Sequence, residues 1–154
     1  HIKEIFGGEY ITDTGCLDRA RMRNLVFTDL SMKKKLEEIL HPLIYRNVEQ
    51  LIPTIESSYG IVAVPLLFET GYFCNLIDRA LVVDCPEELQ ILRTVQRSSK
   101  LSQNDVRAII KTQISRKERL AKANNIISND RNDIYLAEQV KKLHSEFISL
   151  AIIK

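Results

Sequence analysis

The 154-residue chain has only five glycines, Gly7, Gly8, Gly15, Gly60 and Gly71, and none of them begins G-x-x-x-x-G-K-[ST]. No glycine-rich loop that cradles phosphates is therefore encoded in these residues. No G-x-S-x-G elbow occurs either, which removes that signature of a serine nucleophile. Histidine is scarce. His1 is terminal, His41 stands beside Pro42, and His144 falls on the last helix as a surface or packing residue. The three cysteines, Cys16, Cys74 and Cys85, follow no C-x-x-C spacing. No cluster has the spacing of metal ligands, and the thiols read as reduced and structural. No apolar run reaches the about 18 residues of a membrane span. No signal peptide is visible, so a cytoplasmic protein off the membrane is expected. The first residue is His1 rather than Met, which points to a trimmed or partial chain.

What the chain does hold is a core's worth of apolar residues, 45% of the total, and an uneven charge. The net charge of +2 says little about partners. Its distribution says more: Arg93–Lys122 carries nine basic and two acidic residues, a net +7, and leaves −5 on the rest. A basic segment on an acidic molecule fits an anionic ligand. The segment has no interleaved aromatics for base stacking, so no nucleic-acid partner is expected.

Two short apolar runs, Gly60–Phe68 and Ala80–Val83, lack alternation and stop at the carboxylates Glu69 and Asp84. Such runs suit strands buried on both faces of a parallel sheet. Ligands of open α/β sheets bind at the carboxyl ends of the strands, where Glu69 and Asp84 would sit. Asp84 also has a plainer reading. Cys85-Pro86-Glu87-Glu88 looks like a helix start with Pro at its first position, and Asp84 would then only open it.

In chain order, His1–Phe6 reads as the end of a helix stopped by Gly7-Gly8, and Ile11–Gly15 as a turn. Leu17–Asp29 reads as a surface helix. Ser31 opens a longer one, with Leu36, Leu40, Leu43, Ile44, Val48, Leu51, Ile52 and Ile55 on one stripe. Pro42 is expected to kink or split it. After the two candidate strands (Gly60–Phe68 and Arg79–Asp84) a helix runs from Pro86 to about Ser98, where Ser98-Ser99 breaks it. Ser102-x-x-Asp105 has the form of a capping box. The helix it opens should turn Val106, Ile109, Ile110 and Ile114 inward. Asn125–Ser128 is a third strand candidate, Asn129–Asp133 a turn, and Ile134 to about Leu150 a last helix with Leu136, Val140, Leu143, Phe147 and Leu150 on one stripe. Helical crossovers between three strands imply a right-handed parallel sheet.

Gln113-x-x-Arg116-x-x-Arg119 is the sharpest local signal. Residues three apart share a helix face, so both guanidinium groups can converge on one spot. Two such forks suit phosphoryl oxygens and can stabilise a transferring phosphoryl group. A merely solvated basic face has the same spacing. His41, beside Pro42, reads first as a packed, hydrogen-bonded core residue.

LVFTDLSMKKKLEEILHPLI (Leu25–Ile44), VPLLFE (Val64–Glu69), ALVVDCPEELQILRTVQR (Ala80–Arg97), the Gln113/Arg116/Arg119-Leu120-Ala121 run and NNIISN (Asn124–Asn129) stand in the order and spacing of one family. Together they resemble dephospho-coenzyme A kinase, across essentially the whole chain. The resemblance implies ATP- and Mg²⁺-dependent phosphorylation of the ribose 3′-hydroxyl of dephospho-CoA, the last step of CoA synthesis. It implies an α/β fold like that of P-loop nucleoside monophosphate kinases. That fold has a parallel five-stranded core, of which this chain would hold three strands, a helical CoA subdomain and a mobile lid. Residues 1–58 would be most of the CoA subdomain, 59–98 and 123–154 the partial core, and 99–122 the lid. Arg116 and Arg119 match the lid arginines that close over the phosphates. Asn129 matches the turn near the adenine, Glu69 the carboxylate near the acceptor, and His41 the family's HPLI substrate-side motif.

The chain departs from that pattern in two places. The family opens with a strand, a P-loop, a helix and a second strand ending in the general-base Asp, and these 154 residues contain none of them. After the lid the family reads A-D-D-V-I-x-N-x-G, where this chain has Ala123-Asn124-Asn125-Ile126-Ile127-Ser128-Asn129-Asp130-Arg131. Two readings follow: a kinase whose 154-residue portion is inactive alone, or a non-catalytic fragment or paralogue that binds CoA-like or phosphate ligands. The oligomeric state is left open by the sequence.

Overall fold

The computed structural model describes residues 2–98 and 100–152. The chain divides into two units, His1–Thr54 and Ile55–Lys154.

The first unit is helical. The short helix α1 (Ile2–Phe6) ends at Gly7, whose φ of 102° suits glycine, and a 3-10 turn follows over Gly8–Tyr10. Ile11 and Leu17 then pair as an antiparallel bridge across a tight loop, so the expected turn is the tip of a minimal hairpin. Helix α2 (Arg19–Thr28) starts at Asp18, whose carboxylate accepts from the Ala20 and Arg21 amides. Asp29 does the same for Ser31 and Met32 and caps α3 (Leu30–Leu51), whose first residue lies one ahead of the expected Ser31. Pro42 does not split α3, which continues through it. Pro42 brings no N–H for the Glu38 carbonyl, a loss confined to one rung of a 22-residue helix. Phe6 and Met22 are buried, and α2 packs on α3. The α3 stripe itself stays open, with Leu43, Ile44 and Leu51 exposed.

The second unit is α/β. Its sheet has two parallel strands, β1 (Leu81–Asp84) and β2 (Asn125–Ser128), in the register Leu81↔Asn125 to Asp84↔Ser128. The third expected strand does not form: residues 60–66 join no ladder, and Ile61 is exposed. Pro65 supplies the reason, since it lacks a ladder donor and does not suit a central strand. Leu67–Thr70 instead makes a single helical turn, α4, ended by Gly71 at φ 65°. A 3-10 turn, Cys74–Leu76, leads towards β1.

Helix α5 (Glu87–Arg97) follows β1. Pro86 sits at its cap rather than at its first position, and Glu87 and Glu88 fill the first turn as expected. Ser98 caps its end; Ser99, the other residue of the expected break and the first of the expected lid, lies outside the described residues. Helix α6 (Gln103–Lys111) starts with the full Ser102/Asp105 capping box. It buries Val106 but leaves Ile109 exposed, against expectation. Ile91 of α5 and Val106 of α6 are 2% and 4% exposed, and the two helices pack on each other. A bidentate pair from Arg107 to Glu88, at 3.1 and 3.0 Å, fastens them at the surface. Helix α7 (Arg116–Lys122) has a second capping box, Ser115 with Glu118.

After β2, α8 (Asp133–Ile152) packs along that strand. The Gln139 side-chain amide accepts from the Ser128 N–H and donates to the Ser128 carbonyl, so it acts as a substitute ladder rung on β2. Leu136, Leu143 and Phe147 of the expected stripe are half-buried, while Val140 and Leu150 are exposed. No described helix is long and apolar enough to cross a membrane.

Candidate active site

β1 and β2 are parallel, so their carboxyl ends, Asp84 and Ser128, lie side by side. Ala80 at the other end shows how the register is set. Its carbonyl accepts from the Asn124 and Asn125 amides, and its N–H donates to the Asn124 side chain at 2.8 Å. Asn125 accepts from Arg79 Nε and donates to Glu146. The two amides that replace the family's acids thus bind at the amino end of the strands, away from Asn129. Arg131 stacks on Tyr135, its guanidinium carbon 4.6 Å from the ring centre.

Asp84 is the pivot of the carboxyl end. It is 8% exposed and buries a charge at the end of a strand. Arg116, first residue of α7, meets it with Nε at 2.8 Å and Nη2 at 2.5 Å, a fork on a carboxylate. This pairing holds the Asp84 carboxyl below the usual carboxylate range, against the opposing effect of burial. Asp84 does not cap α5, whose cap residue is Pro86. The Asp84 carbonyl accepts from the Asn129 N–H at 2.7 Å, and the Asn129 carbonyl accepts from Arg93 Nη1 at 2.7 Å. Asp84 therefore ties β1 to α7 and to the loop after β2, and Asn129 carries the tie on to α5.

Arg119 is half-buried and donates through Nη2 to the Ile114 carbonyl at 2.9 Å. Its charge also lowers the Asp84 carboxyl. Glu69, exposed on α4, accepts from the Ile114 N–H at 3.1 Å, so the turn between α6 and α7 is held from both sides. Lys122 lies 5.9 Å from the centre of the Phe68 ring. Burial pushes the Cys85 thiol up, away from the thiolate.

Four of the five residues singled out from the sequence, Glu69, Arg116, Arg119 and Asn129, thus belong to one network in the second unit. His41 is half-buried on α3, in the first unit. Sequence reading did not assign Asp84 as the partner of Arg116, nor Arg93 as the partner of Asn129. Asp84 carried a signal in ending an apolar run; the pairing with Arg116, 32 residues on, carried none. The Ser115-x-x-Glu118 box was legible and lay unread within the basic run.

Comparison with known proteins places this geometry. A family model described as dephospho-CoA kinase matches residues 1–134. The dephospho-CoA kinase of Nitrosomonas europaea is 50% identical over 150 residues, covering 97% of this chain and 73% of the relative. That of Nitrosospira multiformis is 45% identical, covering 97% and 74%. Among solved structures, a Thermus thermophilus protein matches with a TM-score of 0.77 at 29% identity, over 94% of this chain and 74% of its own. The dephospho-CoA kinase of Campylobacter jejuni matches at 0.69 and 28%, over 96% and 74%.

Proposed function

Because the chain belongs to the dephospho-CoA kinase family, we propose that the complete gene product transfers the terminal phosphoryl group of ATP to the ribose 3′-hydroxyl of dephospho-CoA. The observation that carries this reading is the basic helix α7 fastened to the carboxyl end of the parallel strands by Arg116 and Asp84. That edge is where open α/β sheets bind ligands, and it brings the net +7 segment to a place where phosphates would be met.

In this reading Arg119 and the outer edge of Arg116 neutralise the transferring group. Asn129 lies by the adenine and Glu69 by the acceptor. His41 is kept as a substrate residue on the strength of the family resemblance alone. The family's chemistry also uses Mg²⁺. Among the described residues no three His, Cys, Asp or Glu side chains converge on a metal site. Asp84, the buried carboxylate at the strand ends, is already committed to Arg116. The described residues therefore do not fit Mg²⁺ by themselves, and no step is assigned through it.

These 154 residues contain no P-loop signature, and in a P-loop kinase phosphoryl transfer from ATP needs that backbone nest and its lysine. The 154-residue polypeptide alone is accordingly inactive in this account, whereas the complete gene product turns over. The test is to assay both with ATP and dephospho-CoA, with circular dichroism confirming that the shorter one folds. Turnover by the purified 154-residue polypeptide would refute the inactivity. Absence of turnover by the complete gene product would refute the kinase reading.

A further inference from the structure

The Arg116 guanidinium meets Asp84 through two of its three nitrogens, Nε and Nη2. No described residue accepts a hydrogen bond from the third, Nη1, and the side chain as a whole is 50% exposed. The fork is therefore held along one edge and offered to solvent along the other. The holder is rigid. Asp84 is nearly buried, sits in the β1–β2 ladder, and is braced through its carbonyl by Asn129, which Arg93 holds in turn. Asp130, on the same loop, adds negative charge near Arg116.

We infer that Asp84 is a positioning residue for phosphoryl transfer: its carboxylate fixes the plane of the Arg116 guanidinium so that the Nη1 edge faces the phosphate. This inference rests on the kinase reading above. Arg116 is left with two donors on Nη1, enough for one phosphoryl oxygen or a bridge between two. Asp84 itself touches no substrate. The pair also decides which arginine does what. Arg116 is anchored and directional, whereas the Arg119 side chain, which among the described residues hydrogen-bonds only the Ile114 carbonyl before α7, keeps more freedom to follow the ligand. A free Arg116 would still attract ATP by charge, but it would have to be ordered afresh at each turnover. The loss should therefore fall on kcat rather than on ATP binding.

The test uses the complete gene product and four forms of it: wild type, Asp84→Asn, Arg116→Ala, and both changes together. Asp84→Asn keeps the shape and removes the charge that grips the fork. The expected result is a fall in kcat of about 10- to 100-fold with KM for ATP within about threefold of wild type. In the Arg116→Ala background, Asp84→Asn should cost less than about threefold further, because its effect runs through Arg116. Effects that multiply, or an Asp84→Asn enzyme with wild-type kcat, would overturn the inference while leaving the kinase reading intact. A wild-type enzyme that transfers no phosphate would overturn both. If Asp84→Asn does not fold, Arg116→Lys carries the test. It keeps the charge without the planar fork, so kcat should fall with KM for ATP held, and an unchanged kcat would overturn the inference.

Discussion

Asp84 shows how a buried carboxylate stays charged. Burial favours the neutral form, but two N–H donors on a formal cation favour the anion more, and the carboxyl is held below its usual range. The consequence for stability has a definite sign. A folded-state pKa below the unfolded one stabilises the fold above the unfolded value, near 3.8, and that contribution fades as pH falls through the folded value. Wild type should therefore be more stable than Asp84→Asn at pH 7, and the gap should narrow below about pH 4 as Asp84 takes up its proton. Urea unfolding of the complete gene product at both pH values measures this; a gap that persists in acid would show that the charge is not its source. Arg119 allows a second residue-level test. If it meets the phosphoryl group mainly in the transition state, Arg119→Ala lowers kcat by about 10³-fold or more with a smaller change in KM for ATP. Arg119→Lys then rescues little, since a point charge lacks the fork. Steady-state kinetics in which KM rises, kcat holds and Lys rescues would reduce Arg119 to electrostatic attraction. Of these features, the paired arginine spacing and the carboxylate ending β1 were legible in the sequence. That Arg116 spends one edge on Asp84 was not, because a contact across 32 residues leaves no periodicity to read.

At the level of elements, helices were read more reliably than strands, for a physical reason. A helix start is a local event, and Ser102 with Asp105 satisfies its free amides within four residues. Ser115 and Glu118 do the same for α7, with the Glu118 N–H bonded to Ser115 Oγ at 3.2 Å. This cap holds the first turn of α7, the helix that carries Arg116 and Arg119. Replacing Ser115 by Ala should speed amide exchange at Glu118 by roughly fivefold, the usual worth of such a cap, with little effect on α8. Equal acceleration in α7 and α8 would mean that the cap has no local role. A strand depends on a partner elsewhere. The segment at 60–68 has the composition of a buried strand, yet it contains Pro65 and runs into Gly71, which ends α4 in the left-handed region. Those two residues were the available signal against a strand. Pro42 does not split α3, since a long helix tolerates one missing rung where a short one breaks.

For the whole molecule, the useful legible quantity was the placement of charge rather than its sum. A chain of net +2 concentrates +7 in the stretch that forms the end of α5 and all of α6 and α7, and part of it lands at the carboxyl ends of two parallel strands. The apolar stripe of α3 was legible as a stripe, but its exposed Leu43, Ile44 and Leu51 were not, because periodicity marks an apolar face without saying what covers it. Family membership accounts for the shared fold. The most direct measurement of the central claim is the position of the transferred phosphate. The complete gene product is incubated with ATP and dephospho-CoA, and the product is examined by ³¹P NMR and mass spectrometry. The account predicts one new phosphate, on the ribose 3′-hydroxyl, with one ADP formed for each. Phosphate at another position, or ATP consumed with dephospho-CoA unchanged, would contradict it.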